Sequence, residues 1–292
     1  AQAVPGHVGL VGTTEEPRSL DDPLTPLVVL EIELLEQATE LLTGQDHDAA
    51  KIEALWANIG DEYFLRETPR DIAWHTEAML DRENPDDPLV LIGETSQTSI
   101  AGGSQIFIYT PDTRNLFSAT VNALDTLGLT IMDARIITSV DGFSLDTYIV
   151  LDEQGTPIGD DWARIEQIRK TLTETLKHPD RFSSTVSRRM PRRNKHFDVP
   201  TQVVISNDIV NDRTAVDIQT LDRPGLLAHI GRIFMRFELL VQNARIATLG
   251  ERAEDVFFIT DLDGEPVSDP ALCQELQETL TRELDDKNNG NN

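Results

Sequence analysis

Residues 220–267 read TLDRPGLLAHIGRIFMRFELLVQNARIATLGERAEDVFFITDLDGEPV, and residues 110–158 read TPDTRNLFSATVNALDTLGLTIMDARIITSVDGFSLDTYIVLDEQGTPI. The two stretches carry one pattern. Asp112 falls on Asp222, Leu116 on Leu226, Leu129 on Leu239, Ala134-Arg135-Ile136 on Ala244-Arg245-Ile246 and Thr138 on Thr248. One deletion later, Asp146 falls on Asp255, Asp152 on Asp261 and Gly155 on Gly264. Two copies about 110 residues apart are too few and too widely spaced for a solenoid, so they predict a tandem pair of small domains.

Each copy shows the same succession of signals. In the first, Gln105–Thr110 alternates as a strand, and Arg114–Leu127 places Leu116, Phe117, Val121, Leu124 and Leu127 on one side of a helix. Residues 129–139 and 144–151 read as two strands joined by the hairpin signal VDGF, residues 160–177 as a second helix, and residues 201–208 as the closing strand. The second copy restarts at Arg213 with a strand, followed by helix 224–237, strands 239–249 and 254–262, and helix 269–285. Its last strand is either lent by the segment before Arg213 or absent. This order predicts an α+β fold: two tandem ferredoxin-like βαββαβ domains, each an antiparallel sheet with both helices on one face.

Further out, residues 27–42, 48–60 and 69–81 have helical spacing, the last with Pro69 in its first turn and Ile72, His75 and Met79 on one face. Residues 83–103 read as a loop around a short apolar patch, LVLI at 89–92. The expected organisation is 1–25 disordered or unassigned, 26–100 a helical lead-in, 104–208 the first domain with the basic loop RRMPRRNKH at 188–196, 211–286 the second domain, and 287–292 a disordered tail.

Composition narrows the function. The net charge of −26 repels phosphate backbones and anionic lipid, so neither nucleic acid nor a membrane is an expected partner. The N-terminal residues lack the charged start and apolar core of a signal peptide. The single Cys273 excludes an internal disulfide framework and fits a reducing, cytoplasmic setting. A start at Ala1 rather than Met fits an incomplete or processed chain. The six histidines are scattered, and no metal-ligand spacing is found.

The sharpest local motif is Leu221-Asp222-Arg223-Pro224-Gly225-Leu226-Leu227, at a strand-to-helix turn. Pro224 suits a first helical turn, Gly225 admits a close neighbour, and the helix end favours a carboxylate. Asp222 or Asn243 could take the ammonium of the same amino acid. The motif equally serves as a plain turn, and the pattern leaves both readings open. The first copy has Asp112-Thr113-Arg114-Asn115 instead, keeping the acid but losing Pro and Gly, so the ligand is expected chiefly in the second copy. A Gly225→Val change is expected to crowd the carboxylate seat, and the fold to tolerate it if φ is negative there. Arg135 and Arg245 recur at equal positions, which suits a salt bridge across the pair or an edge of the ligand site.

DRPGLL followed by NARIATLGERAEDVFFITD resembles an ACT domain, a ferredoxin-like module that usually binds amino acids at domain interfaces. The resemblance is closer to the C-terminal regulatory part of the bifunctional uridylyltransferase/uridylyl-removing enzyme family. It is carried also by LWANIGDEYFLRETPRDIAWHTEAML (55–80), GGSQIFIYTPDTRNLFSATVNALDTLGLTIMDARIITSVDGFSLDTYIVLD (102–152) and NKHFDVPTQVVIS (194–206). It implies that the ACT pair senses glutamine for an enzyme that transfers UMP from UTP to a tyrosine of the PII signalling protein, with Mg2+, and removes it again. The effector residues it implies, together with the motif, are Asp222, Arg223, Pro224, Gly225, Leu226, Asn243 and Ala244, and in the first copy Asp112, Asn115, Leu116 and Asp133. No catalytic or metal residue is assigned. Gly103-Ser104 leads to Asp112, but Arg114 stands where a nucleotidyltransferase needs a second acid. His47-Asp48 lacks partners for a hydrolytic metal site. The chain is therefore expected to be inactive alone, with no cofactor of its own. The alternatives are a stand-alone ACT-repeat amino-acid-binding protein or a structural dimerisation module.

Overall fold

The computed structural model describes residues 25–42, 48–95, 102–181, 199–208, 213–223 and 225–289. The expected disordered start, the basic loop at 188–196, His47 and Pro224 lie outside the described residues.

Eight strands form one antiparallel sheet in the order β1-β2-β4-β3-β7-β8-β6-β5. They are β1 (Leu89–Glu94), β2 (Ser104–Pro111), β3 (Thr130–Thr138), β4 (Phe143–Leu151), β5 (Gln202–Asp208), β6 (Arg213–Leu221), β7 (Leu240–Leu249) and β8 (Arg252–Thr260). The helices are α1 (Thr25–Leu42), α2 (Ala49–Trp56), α3 (Asp61–Phe64), α4 (Pro69–Leu80), α5 (Leu116–Thr126), α6 (Trp162–Lys177), α7 (Leu226–Arg236) and α8 (Pro270–Asn289). The two copies join at β3 and β7, where Ala134 pairs with Ile246, Arg135 with Arg245 and Ile136 with Ala244. The repeated Ala-Arg-Ile triplets thus face each other across a local two-fold, and one sheet runs through both halves.

The α+β class of tandem ACT-like halves holds, but the outer strand of each half comes from ahead of its repeat. Residues 89–94 are a strand pairing antiparallel to β2, where a loop was expected. Residues 202–208 pair with β6 and so do not close the first copy. The second copy does borrow its outer strand from the segment before Arg213. The slot beside the first strand of such a fold accepts an antiparallel segment from either direction, and period-two alternation carries no directional information. The C-terminal helix also runs to Asn289, into the expected tail.

The strand patterns follow from what covers them. β2 is buried from Ser104 to Thr110: Ile106 and Ile108 pack among the helices α5–α8, while Phe107 and Tyr109 pack against α1, α3 and α4. A strand covered on both faces reads as a continuous apolar run. β6 instead alternates, with Thr214, Val216, Ile218 and Thr220 buried and Arg213, Ala215, Asp217 and Gln219 half-exposed. The lead-in helices therefore cover only the first half of their face. They are fixed by local caps: Thr68 accepts the Asp71 amide ahead of Pro69, and Asp48 accepts the Ala50 amide. Beneath them His75 is fully buried, stacked on Phe107 and bonded through Nδ1 to Tyr63 and through Nε2 to Gln105. Burial, then Arg135, holds its pKa well below the usual histidine value, so it is a neutral core residue.

Candidate functional site

The two strand-to-helix turns stand at equivalent places and adopt one backbone form. Asn115 and Gly225 cap α5 and α7 with φ of 68° and 74°, and no side chain caps either helix. The condition under which the fold would tolerate Gly225→Val, a negative φ, is not met. A left-handed cap turns the chain sharply into the helix, a conformation that glycine adopts freely and asparagine best tolerates among the rest. The amides of Asp112 and Asp222 are each tied to the hairpin of the same half, donating to Gly142 and Glu251.

Each turn faces the beginning of the other half's strand, so the local two-fold generates two crevices. They differ in size. The crevice at α7 is a cavity of about 140 Å3 lined by Asp222, Arg223, Gly225 and Leu226–Ala228, by Thr248, Ala253 and Asp255 behind them, and by Val121, Asp125 and Leu129–Ile131 from the first half. The crevice at α5, formed by Asp112, Asn115 and Leu116 against Leu239–Val241, has about 20 Å3, room for one water. The substitutions between copies explain the difference. Where the closed crevice has Phe117, Met235 and Leu240, the open one has Leu227, Asp125 and Thr130. The open side carries less bulk at all three places and a polar group at two of them. Asn115 also spends its amide on Asp180, at 3.0 Å.

The acids behind the two crevices differ in the same sense. Asp146 is fully buried on β4, yet it accepts hydrogen bonds from Ser144 Oγ and, at 3.3 Å, from Tyr148 Oη. Burial raises its pKa to about 7 against those bonds. Asp255, its counterpart on β8, is equally buried, but Ala253 and Phe257 replace the two hydroxyl-bearing residues. Neither carboxylate oxygen makes a hydrogen bond of normal geometry, and the Ala247 amide lies only near enough to act on the charge. Burial drives its pKa well above the carboxylate range, only partly opposed by the Ala247 amide, and Asp222 and Asp217 add to it. The ladder opens locally as well: β7 and β8 pair at Arg245 with Val256 and again at Thr248 with Ala253 but not between, whereas Ile136 pairs with Asp146 in the first half. Asp222 is raised by burial too, and the Arg223 guanidinium is lowered to about 10 by burial, with Asp285 opposing.

Of the residues expected to bind an effector, Asp222, Arg223, Gly225 and Leu226 meet at the open crevice, and Asp112, Asn115 and Leu116 at the closed one. Asn243 and Asp133 lie in an ionic cluster against α3, away from both crevices. Asn243 Oδ1 accepts from Arg66 Nη1 at 3.2 Å, and Asp133 accepts from Arg135 Nε at 3.1 Å. Ala244 is packed in the core among the helices. A bulge interrupts the β7–β8 register between Val241 and Asn243. Arg135 itself is buried, 3.0 Å from Glu67 of the lead-in and 3.1 Å from Asp133 on its own strand. Asp255 was visible in the sequence only as an aligned position. The signal that could have singled it out was an acid in both copies at an inward-facing place on an alternating strand.

A larger depression of about 420 Å3 runs along β1 between Trp74 and Arg169, with Arg169 as its one charged lining residue. Among the described residues no cluster of three or more histidine, cysteine or acidic side chains could hold a metal ion, and no helix is long and apolar enough to cross a membrane. The open crevice can seat a small ligand with a carboxylate at the first turn of α7. It is far below the roughly 300–1,000 Å3 of typical cofactor-sized sites.

The fold and this crevice define a tandem ACT-type module. The comparisons with known proteins are specific. Residues 33–78 match the family described as the fifth domain of the uridylyltransferase GlnD. The chain is 53% identical over 247 residues to a bifunctional uridylyltransferase/uridylyl-removing enzyme of Pseudomonas putida, covering 85% of this chain and 27% of the relative. It is likewise 53% identical to that of Ectopseudomonas mendocina, covering 28% of the relative. A crystal structure of aspartate kinase from Synechocystis is similar over 63% of this chain and 28% of that one, with 16% identity and a TM-score of 0.36. Over most of its length the chain is thus similar to part of the uridylyltransferase/uridylyl-removing enzymes, and it spans about a quarter of the length of the relatives it matches.

Proposed function

We propose that this chain is the effector-sensing region of a PII uridylyltransferase/uridylyl-removing enzyme, acting in the cytoplasm, and that glutamine binds in the crevice between α7 and the start of β3. The observation that carries this reading is the asymmetry of the two crevices: one is filled by its own side chains, while the other keeps about 140 Å3 of partly polar space beside a buried acid. The family match over the lead-in supports a regulatory region over a free-standing amino-acid-binding protein, which needs no such segment. Transfer and removal of UMP, the Mg2+ they use and docking of PII then belong to parts of the enzyme outside this chain.

Binding selective for the folded state raises stability by RT ln(1 + [L]/Kd), about 2.7 kcal/mol at a hundredfold excess over Kd. A thermal scan with glutamine, glutamate and leucine is expected to give the largest rise for glutamine. Equal shifts for all three, or none, leave the crevice a structural seam and favour the dimerisation reading.

A further inference from the structure

Resting on that reading, we propose that Asp255 is the counter-charge for the ammonium group of the bound amino acid, and so a specificity residue of the effector site. Three observations meet on it. First, it is 0% exposed and lines the open crevice, with no side-chain donor and no hydrogen bond of normal geometry on either carboxylate oxygen. A buried acid this poorly satisfied costs stability and persists where something outside the fold completes it. Second, the same protein shows the alternative. Asp146, at the equivalent place, is satisfied by Ser144 and Tyr148, and the crevice in front of it is closed. The second half has Ala253 and Phe257 instead, so the internal donors are gone where the space is present. Third, the first turn of α7, with no side-chain cap, forms another wall of the cavity.

A zwitterion fits both ends: its carboxylate meets the positive end of the helix and its ammonium meets Asp255. Asp125 and Asp222, also on the walls, strengthen the preference for a cationic group, and Arg223 stands on the helix side with the carboxylate. An anion without an amine gains nothing from Asp255.

Calorimetry on the full chain tests this with L-glutamine and with glutaramic acid, which keeps the carboxylate and the amide but lacks the amine. Glutaramic acid is expected not to bind measurably at concentrations that saturate with glutamine. Asp255→Asn is expected to weaken glutamine binding on the order of 10- to 100-fold, the scale of one charge-assisted hydrogen bond, while its melting temperature without ligand stays level or rises. Ala253→Ser, which restores the donor of the first half, is expected to weaken binding too, and it carries the test alone should Asp255→Asn fail to fold. Unchanged glutamine affinity in Asp255→Asn, or equal affinity for glutaramic acid, overturns the proposal and leaves the glutamine site standing. Absence of glutamine binding by the wild-type chain removes both. A melting temperature that rises on exchanging sodium for potassium chloride, and no longer does so in Asp255→Asn, assigns the acid to an inorganic cation and overturns the proposal as well.

Discussion

Asn115 and Gly225 show how one backbone position is solved twice. Both have positive φ, 68° and 74°. A valine at 225 is strained there whatever its effect on a ligand, and is expected to cost about 1–3 kcal/mol of stability. Weakened glutamine binding in Gly225→Val therefore does not separate crowding from strain. Asn115→Gly, which relieves the same strain and gives up one exposed bond to Asp180, is expected to stay within about 0.5 kcal/mol of wild type. Urea midpoints of the two variants check both expectations. The motif around Asp222 was legible because turn residues carry their backbone needs in their identity. The role of Asp255 was not, because the sequence shows an acid but neither its depth nor the missing hydroxyls around it.

At the level of elements, the crossing of α5 and α7 is the tightest test of the pairing. A Cβ added to Gly231 would lie 2.7 Å from Ser118 Oγ and 3.2 Å from Ser118 Cα. The hydroxyl can turn away, but the backbone carbon cannot without moving the helices apart. Gly231→Ala gains about 1 kcal/mol of helix propensity and loses about 1–3 kcal/mol to overpacking, so a net loss of stability is expected in a urea titration. A net gain would show that the two helices separate freely. Helices and central strands were readable from amphipathic spacing and from caps such as Thr68-Pro69. The outer strands were misassigned or missed for two physical reasons. LVLI is short and flanked by Pro88 and Gly93, which mask it as a loop, and β5 pairs in sequence order opposite to the expected one. Strand pairing is a long-range property that local alternation does not encode.

Across the whole molecule, a buried ionic cluster fastens the lead-in to the sheet where the halves meet. Glu67 and Arg135 face each other at 3.0 Å, Arg135 donates to the Arg66 carbonyl at 2.8 Å, and Arg66 reaches Asn243 of the second half. Burial raises the Glu67 pKa to about 7, opposed by Arg135 and reinforced by Asp71 and Asp133. An acid whose pKa is raised on folding binds more protons in the folded state. Its contribution is full below the unfolded value of 4.5 and is lost as pH rises through about 7. Glu67→Gln is expected to be less stable overall, because Arg135 loses a charged partner, and to show a shallower fall in melting temperature between those two pH values. A slope equal to that of wild type would place the titration elsewhere, with Asp146 the next candidate in the same window.

The unbroken β3–β7 ladder has a mechanical consequence. The open crevice takes one wall from each half, and the Glu67–Arg135–Arg66–Asn243 chain crosses the same seam on the opposite face of the sheet. An occupant of the crevice is then a strut: twisting one half against the other must shear its contacts as well as the strands. The helices resting on the far side are fastened to that same seam, so the crevice and the seating of the lead-in form one mechanical unit.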